Sequence, residues 1–144
     1  MTGSGVHVVC GSCGAINRVP PDRPGRQAKC GTCHQPLFAG TPIKADAATF
    51  ERHITRNDIP VIVDFWAPWC GPCHAMAPAF ERAAAELEPG YRLLKVNSEE
   101  EPTLAARYEI RSIPMLMLFV GEPGGAARGR QRHARYRFLG AHTR

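Results

Sequence analysis

Trp66-Ala67-Pro68-Trp69-Cys70-Gly71-Pro72-Cys73 is the stretch from which the rest of this chain can be read. It follows the apolar run Pro60-Val61-Ile62-Val63-Asp64-Phe65 and precedes a helical pattern that begins at His74. A C-x-x-C at the junction of a buried strand and a helix is a redox arrangement. The first sulfur, Cys70, stands where the free N–H groups and positive dipole end of the helix stabilise a thiolate. Cys73 lies one helical turn on, close enough to close a small disulfide ring. The competing reading is metal ligation. Tetrahedral zinc takes four ligands, however, and no second pair lies nearby in this half of the chain.

Two further pairs do occur upstream. Cys10-Gly11-Ser12-Cys13 and Cys30-Gly31-Thr32-Cys33 are separated by sixteen residues, which fits the spacing of a four-thiolate zinc site. Two residues between cysteines let one tight turn present both sulfurs to a single ion, and two such turns complete a tetrahedron. Segment 1–38 therefore reads as a zinc ribbon, with a short strand over Ala15–Val19 and with the metal supplying much of its folding free energy. Two structural disulfides are an alternative, and so is His7 or His34 in place of one cysteine. The segment carries Arg18, Arg23, Arg26 and Lys29 but no aromatic residue before Phe38, so a surface for stacking nucleic-acid bases is poorly supported.

Composition sets the class. The chain has 144 residues, of which 44% are hydrophobic, enough for one ordinary domain plus a small module. The six cysteines come as three C-x-x-C pairs rather than as a dispersed scaffold, which favours metal and redox chemistry in a reducing compartment. No charged leader with an apolar stretch opens the chain, and Met115–Val120 is far too short to span a bilayer, so a cytoplasmic protein with no membrane contact is expected. Residues 1–120 carry 12 Lys plus Arg against 12 Asp plus Glu. Residues 121–144 carry six Arg against Glu122 alone, so the net charge of +5 resides in the tail.

The central motif resembles the active site of thioredoxin. Asp64 lies six residues before Cys70, Pro78 five after Cys73, and Ile113-Pro114 far downstream, and the likeness runs from about Thr41 to Phe119. With the cysteine-rich module in front, the chain is similar to the zinc-containing second thioredoxin of bacteria. That resemblance implies an α/β thioredoxin fold, a central mixed sheet flanked by helices, preceded by a zinc ribbon. It also implies a protein-disulfide reductase at the reducing end of its class. Such proteins are recycled by an NADPH-dependent thioredoxin reductase and are often linked to oxidative stress.

By the same resemblance Cys70 is the nucleophile, Cys73 the resolving thiol and Asp64 the proton carrier, with Lys95 nearby. Trp69, Gly71, Pro72, Ile113 and a cis Pro114 flank the sulfurs and receive an extended substrate. Cys10, Cys13, Cys30 and Cys33 hold one structural Zn2+, and no organic cofactor is expected. His74 stands where the best-known members carry lysine and receives no catalytic role.

The expected organisation is a zinc ribbon at 1–38, a linker at 39–43, a thioredoxin core at 44–120 and a basic segment at 121–144. Within the core, a helix over Ala47–Arg56 capped by Asp46 leads to the Val61–Phe65 strand. A helix from about Cys70 to Glu88 is kinked at Pro78. The Tyr91–Val96 strand, a Ser98/Glu101 capping box, a helix at Pro102–Tyr108 and the Met115–Val120 strand follow. Beyond Phe119 the family pattern fails. An edge strand at 135–141 is expected, and too few residues remain for the closing helix. Two other functions compete with reduction: a ribbon-and-tail module binding nucleic acid or a partner, and a redox sensor that releases zinc on oxidation.

Overall fold

The computed structural model of the chain describes residues 5–22, 25–121 and, as backbone, 131–137. Two antiparallel strands, β1 (Val6–Val9) and β2 (Ile16–Val19), form the ribbon, followed by a 3-10 turn at Gly25–Gln27. Then come β3 (Ile43–Lys44), α1 (Ala47–Arg56), β4 (Val61–Trp66), α2 (Gly71–Leu87), β5 (Arg92–Asn97), α3 (Pro102–Arg107), β6 (Met115–Gly121) and β7 (Gln131–Arg137). The second sheet has the order β3-β5-β4-β6-β7. Its first three strands run parallel, and β6 and β7 are antiparallel to the neighbours they pair with. β4 sits between two partners, as its near-continuous apolar run requires.

The sheet buries one face against α1 and α3. Phe50 and Ile54 of α1, spaced i, i+4, meet Val61, Val63 and Phe65 of β4 and Met117 and Phe119 of β6. Asp46 caps α1, accepting the Thr49 N–H at 2.8 Å. On the other face Met76, Phe80 and Ala84 of α2 pack with Leu93, Ile62 and Leu116. α2 is unbroken through Pro78.

Several expectations are corrected. The Ser98/Glu101 capping box does not form: Asn97, at the end of β5, takes the turn instead, its Oδ1 accepting the Glu99 N–H at 2.9 Å. A short amide side chain closing its own turn outcompetes a box that needs two side chains in register. Among the described residues the edge strand is Gln131–Arg137, starting four residues before the expected 135–141, because β7 follows β6 residue for residue from Gly121↔Gln131 to Met115↔Arg137. Residues 138–141 of the expected strand, with the rest of the tail, lie outside the described residues. Ile43 leaves the expected linker and pairs with Leu94 as the edge of the sheet. β1 adds a strand that the sequence reading does not assign.

The ribbon is docked, not tethered. Its small core (Val8, Val19, Ala28, Leu37, Phe38) packs against Ile59 of the larger module. Arg92, 1% exposed at the start of β5, donates from Nη2 to the carbonyls of Val9 at 2.7 Å and Leu37 at 3.0 Å. Its Nη1 lies 3.6 Å from the equally buried Glu88, whose Oε1 accepts the Gly40 N–H at 2.8 Å. Asn57 Oδ1 accepts the Val9 N–H at 2.8 Å, while its amide donates to Nδ1 of buried His53 at 2.9 Å. Burial, with Arg92 and Arg52 nearby, pushes the His53 pKa down to about 3, so it stays neutral. Arg26 reaches the Ala85 and Glu86 carbonyls in the last turn of α2, where a cation suits the helix dipole. Gly25 lies so near Pro89 that a Cβ there would sit 2.8 Å from its ring.

Candidate functional site

Cys70 is the N-cap of α2, and its sulfur accepts the Cys73 N–H at 3.2 Å. A neighbouring turn supports it: the Cys70 N–H donates to the Ala67 carbonyl at 3.1 Å, and the His74 N–H donates to the Cys70 carbonyl at 3.2 Å. Cys70 and Cys73 are joined as a disulfide. Ala67 and both cysteines are buried together, with Trp66 and Ile113 packed against them. The Ile113–Pro114 peptide is cis, and the Ile113 carbonyl oxygen lies 3.8 Å from the Cys70 sulfur. Trp69 stands apart from this packing at 68% exposed. Beside it Gly71 faces open space, with no atom within 4 Å of where a Cβ would sit.

Asp64 lies in β4, six residues before Cys70. In β4 it pairs with Lys95 of β5 and Leu116 of β6, and it shares a face with Ile62, the face that α2 covers. It is 1% exposed, and its Oδ1 has no hydrogen-bond partner among the described residues. Burial raises its pKa to about 7, opposed by the charge on Lys95. The Lys95 ammonium in turn lies 4.7 Å from the Trp66 ring centroid.

The other four cysteines converge in the ribbon. All four sulfurs lie within 4.8 Å of one another, with Cys10–Cys33 and Cys13–Cys30 each at 3.6 Å. Four thiolates around a tetrahedral zinc stand about 3.8 Å apart, from bonds of about 2.3 Å, so the set fits that ion. The Ser12 and Thr32 N–H groups point at the Cys10 and Cys30 sulfurs at 3.3 Å each, as thiolates need. The backbone N–H of Cys33 and the Asn17 amide lower the Cys30 pKa to about 5. Arg26 of the ribbon reaches the far end of α2, whereas the Cys10–Cys13 turn lies against α1, where Arg52 donates to the Gly14 carbonyl, so the metal thiols stand on a different element from the one that carries the redox thiols.

A dithiol pair capping a helix beside a cis-proline, on a sheet with helices on both faces, defines a thiol–disulfide oxidoreductase. Comparisons with known proteins agree. Residues 41–135 match the family model Thioredoxin, and residues 9–35 match the zinc-ribbon model described as Thioredoxin 2, N-terminal. The chain is 43% identical to Thioredoxin C-3 of Corynebacterium nephridii over 111 residues, covering 77% of this chain and 76% of that one. It is 50% identical to the thioredoxin of Porphyra purpurea over 72 residues, covering 50% of this chain and 67% of that one. Its fold matches chloroplastic thioredoxin z with a TM-score of 0.58 at 27% identity, over 67% of this chain and 80% of that one. The chain belongs to the thioredoxin family and is a protein-disulfide oxidoreductase acting through Cys70 and Cys73. No helix among the described residues is long and apolar enough to cross a membrane.

Sequence reasoning misses two residues. Arg92 receives no role there, and His74 is noted only as standing where the best-known members carry lysine. Nothing in their sequence surroundings marks the partners they find.

Proposed function

We propose that Cys70 is the attacking thiolate of a cytoplasmic protein-disulfide reductase and Cys73 the resolving thiol. The observation that carries this is the position of Cys70 as helix N-cap, where its sulfur already accepts an N–H and would do so more strongly as an anion. The Cys70 thiolate attacks one sulfur of a substrate disulfide, forming a mixed disulfide and releasing the other sulfur as a thiolate that takes a proton from water. Cys73 gives its proton to the Asp64 carboxylate, attacks the Cys70 sulfur and expels the second substrate thiolate. The second thiolate takes a proton from water as Asp64 returns its own to solvent, so two electrons have passed to substrate and both product sulfurs end as thiols. Trp69, Gly71, Pro72, Ile113 and Pro114 form the surface that receives an extended peptide. The open space over Gly71 leaves room for one. One structural Zn2+ is held by Cys10, Cys13, Cys30 and Cys33, no organic cofactor is needed, and an NADPH-dependent thioredoxin reductase returns the electrons. A role under oxidative stress fits this chemistry.

The reduced Cys73→Ser variant tests the order of events. It should hold substrate as a stable mixed disulfide on Cys70, visible by mass spectrometry and released by dithiothreitol. Capture on Cys13 or Cys33 instead would remove Cys70 from the role.

Asp64 gives a second test through pH. Its folded pKa is raised above the ordinary 3.8, so its contribution to stability is complete below that value and is lost as pH rises toward 7. A rise of about three units corresponds to roughly 4 kcal/mol against the ionised form above pH 7. Oxidised Asp64→Asn should therefore match the parent in melting temperature near pH 4 and exceed it increasingly up to about pH 7, while the reduced variant should reduce insulin more slowly at pH 7. A stability difference that stays flat with pH would contradict the assignment.

A further inference from the structure

His74 is exposed, yet it makes two contacts to this loop, one to the Pro68 carbonyl and one to the Trp66 ring, which Lys95 also touches. Its Nε2 lies 2.6 Å from the Pro68 carbonyl oxygen. A carbonyl only accepts, so Nε2 carries the proton. The imidazole also stands edge-to-face against Trp66, with centroids 6.2 Å apart. Ala67 to Cys70 form a turn closed by the Cys70 N–H to Ala67 carbonyl bond at 3.1 Å, and Pro68 and Trp69 are its two central residues. The commonest turn types differ by rotating the central peptide through about 180°, which carries the Pro68 carbonyl from one side of the turn to the other. Trp69 does not take the positive φ that the flipped state demands, so the turn keeps one peptide orientation, and a donor fixed on the first turn of α2 ties that peptide to the helix. Trp69 is 68% exposed, so core packing contributes little to its placement.

We propose that His74 is the positioning residue of the docking surface: it locks the Pro68–Trp69 peptide to α2 and so holds Trp69 where a protein disulfide approaches. This rests on the reading that Trp69 borders the docking surface. The bond is solvent-accessible, so its weight is that of one modest hydrogen bond, roughly three- to tenfold in an equilibrium. Glutamine places an amide N–H at about the reach of Nε2 and can replace the donor, whereas alanine cannot.

The test uses the reduced full-length, zinc-loaded chain in single-turnover reduction of insulin over a range of insulin concentrations. A small aromatic disulfide, which needs no docking surface, serves as the second substrate. Both tryptophans of the chain lie in the 66–69 segment, so time-resolved tryptophan anisotropy reads the loop directly. His74→Ala is expected to raise the half-saturating insulin concentration three- to tenfold, with the limiting rate and the small-disulfide rate within twofold of the parent and a new fast component in the anisotropy decay. His74→Gln is expected to restore both saturation and decay. An unchanged saturation, a loss shared by the small disulfide, or a His74→Gln variant no better than His74→Ala overturns the proposal. Trp69→Ala separates the two layers. If it leaves insulin saturation unchanged, the docking reading fails and the proposal falls with it. If it raises saturation while His74→Ala does not, only the tether is wrong.

Discussion

Replacement of Cys70 by serine is expected to bring insulin-disulfide reduction, with dithiothreitol as electron donor, down to the dithiothreitol background, a loss on the order of a thousandfold or more. Serine keeps the shape of the cap and can still accept the Cys73 N–H, so α2 and the fold around it should survive. It cannot supply the chemistry, because a hydroxyl at neutral pH is not ionised and oxygen forms no disulfide. Cys73 is a poor substitute: it lies inside the first turn of α2 and not at the N-cap, the place where a backbone N–H supports the Cys70 sulfur. Zinc content and the melting temperature of the reduced protein should match the parent. Retention of a tenth or more of the parent rate would show that another thiol carries the reaction.

The largest expected loss of stability follows from Arg92→Met. The guanidinium and the Glu88 carboxylate are both 1% exposed in their side chains, and burial lowers the Arg92 pKa only to about 10, so it is charged at neutral pH. Removing it strips the Val9 and Leu37 carbonyls of their donor and leaves Glu88 buried with the Gly40 N–H alone on Oε1. Breaking such a pair from one side costs about 3–5 kcal/mol, a large share of the ~5–15 kcal/mol that holds a domain together. Urea titration of the zinc-loaded parent and variant measures it. Arg92→Met/Glu88→Gln should recover part of the loss, since no uncompensated charge then remains. The parent should bind one zinc per chain, and Arg92→Met should surrender it faster to a chelator, because the strand entering Cys10 then keeps Asn57 and loses the Arg92 hold on the Val9 carbonyl. A loss under about 1 kcal/mol would mean that the ribbon docks by its apolar contacts instead.

How much of this was legible beforehand depends on how local each signal is. The three C-x-x-C pairs, the apolar β4 and the α2 pattern carry their meaning within a few residues, and the structure places them as expected. β1 escapes because Val6-His7-Val8-Val9 is four residues with one polar interruption, too short for a period to declare itself. The two residues of β3 are fixed by pairing with Leu94 and Lys95, a long-range fact that no window around Ile43 contains. Asn97 and Ser98 both offer a cap, and only the end of β5 decides between them. The register of β7 comes from the length of β6 opposite it, not from its own alternation. In the site, the Cys70–Cys73 pair could be read from spacing, and the role of Asp64 comes only with the family resemblance. His74 and Arg92 could not, since their partners are backbone carbonyls and carbonyls carry no residue identity.

That last point gives the Glu88–Arg92 pair a use beyond this chain. Its acceptors belong to the cysteine-rich module, so the pair is sensible only where that module is present. Relatives that begin directly at β3 should hold apolar or small residues at these two positions, and those with the four upstream cysteines should keep glutamate and arginine together. Two charges four residues apart then serve as a covariation marker for module gain or loss, one that can be scored in any set of family sequences without a structure.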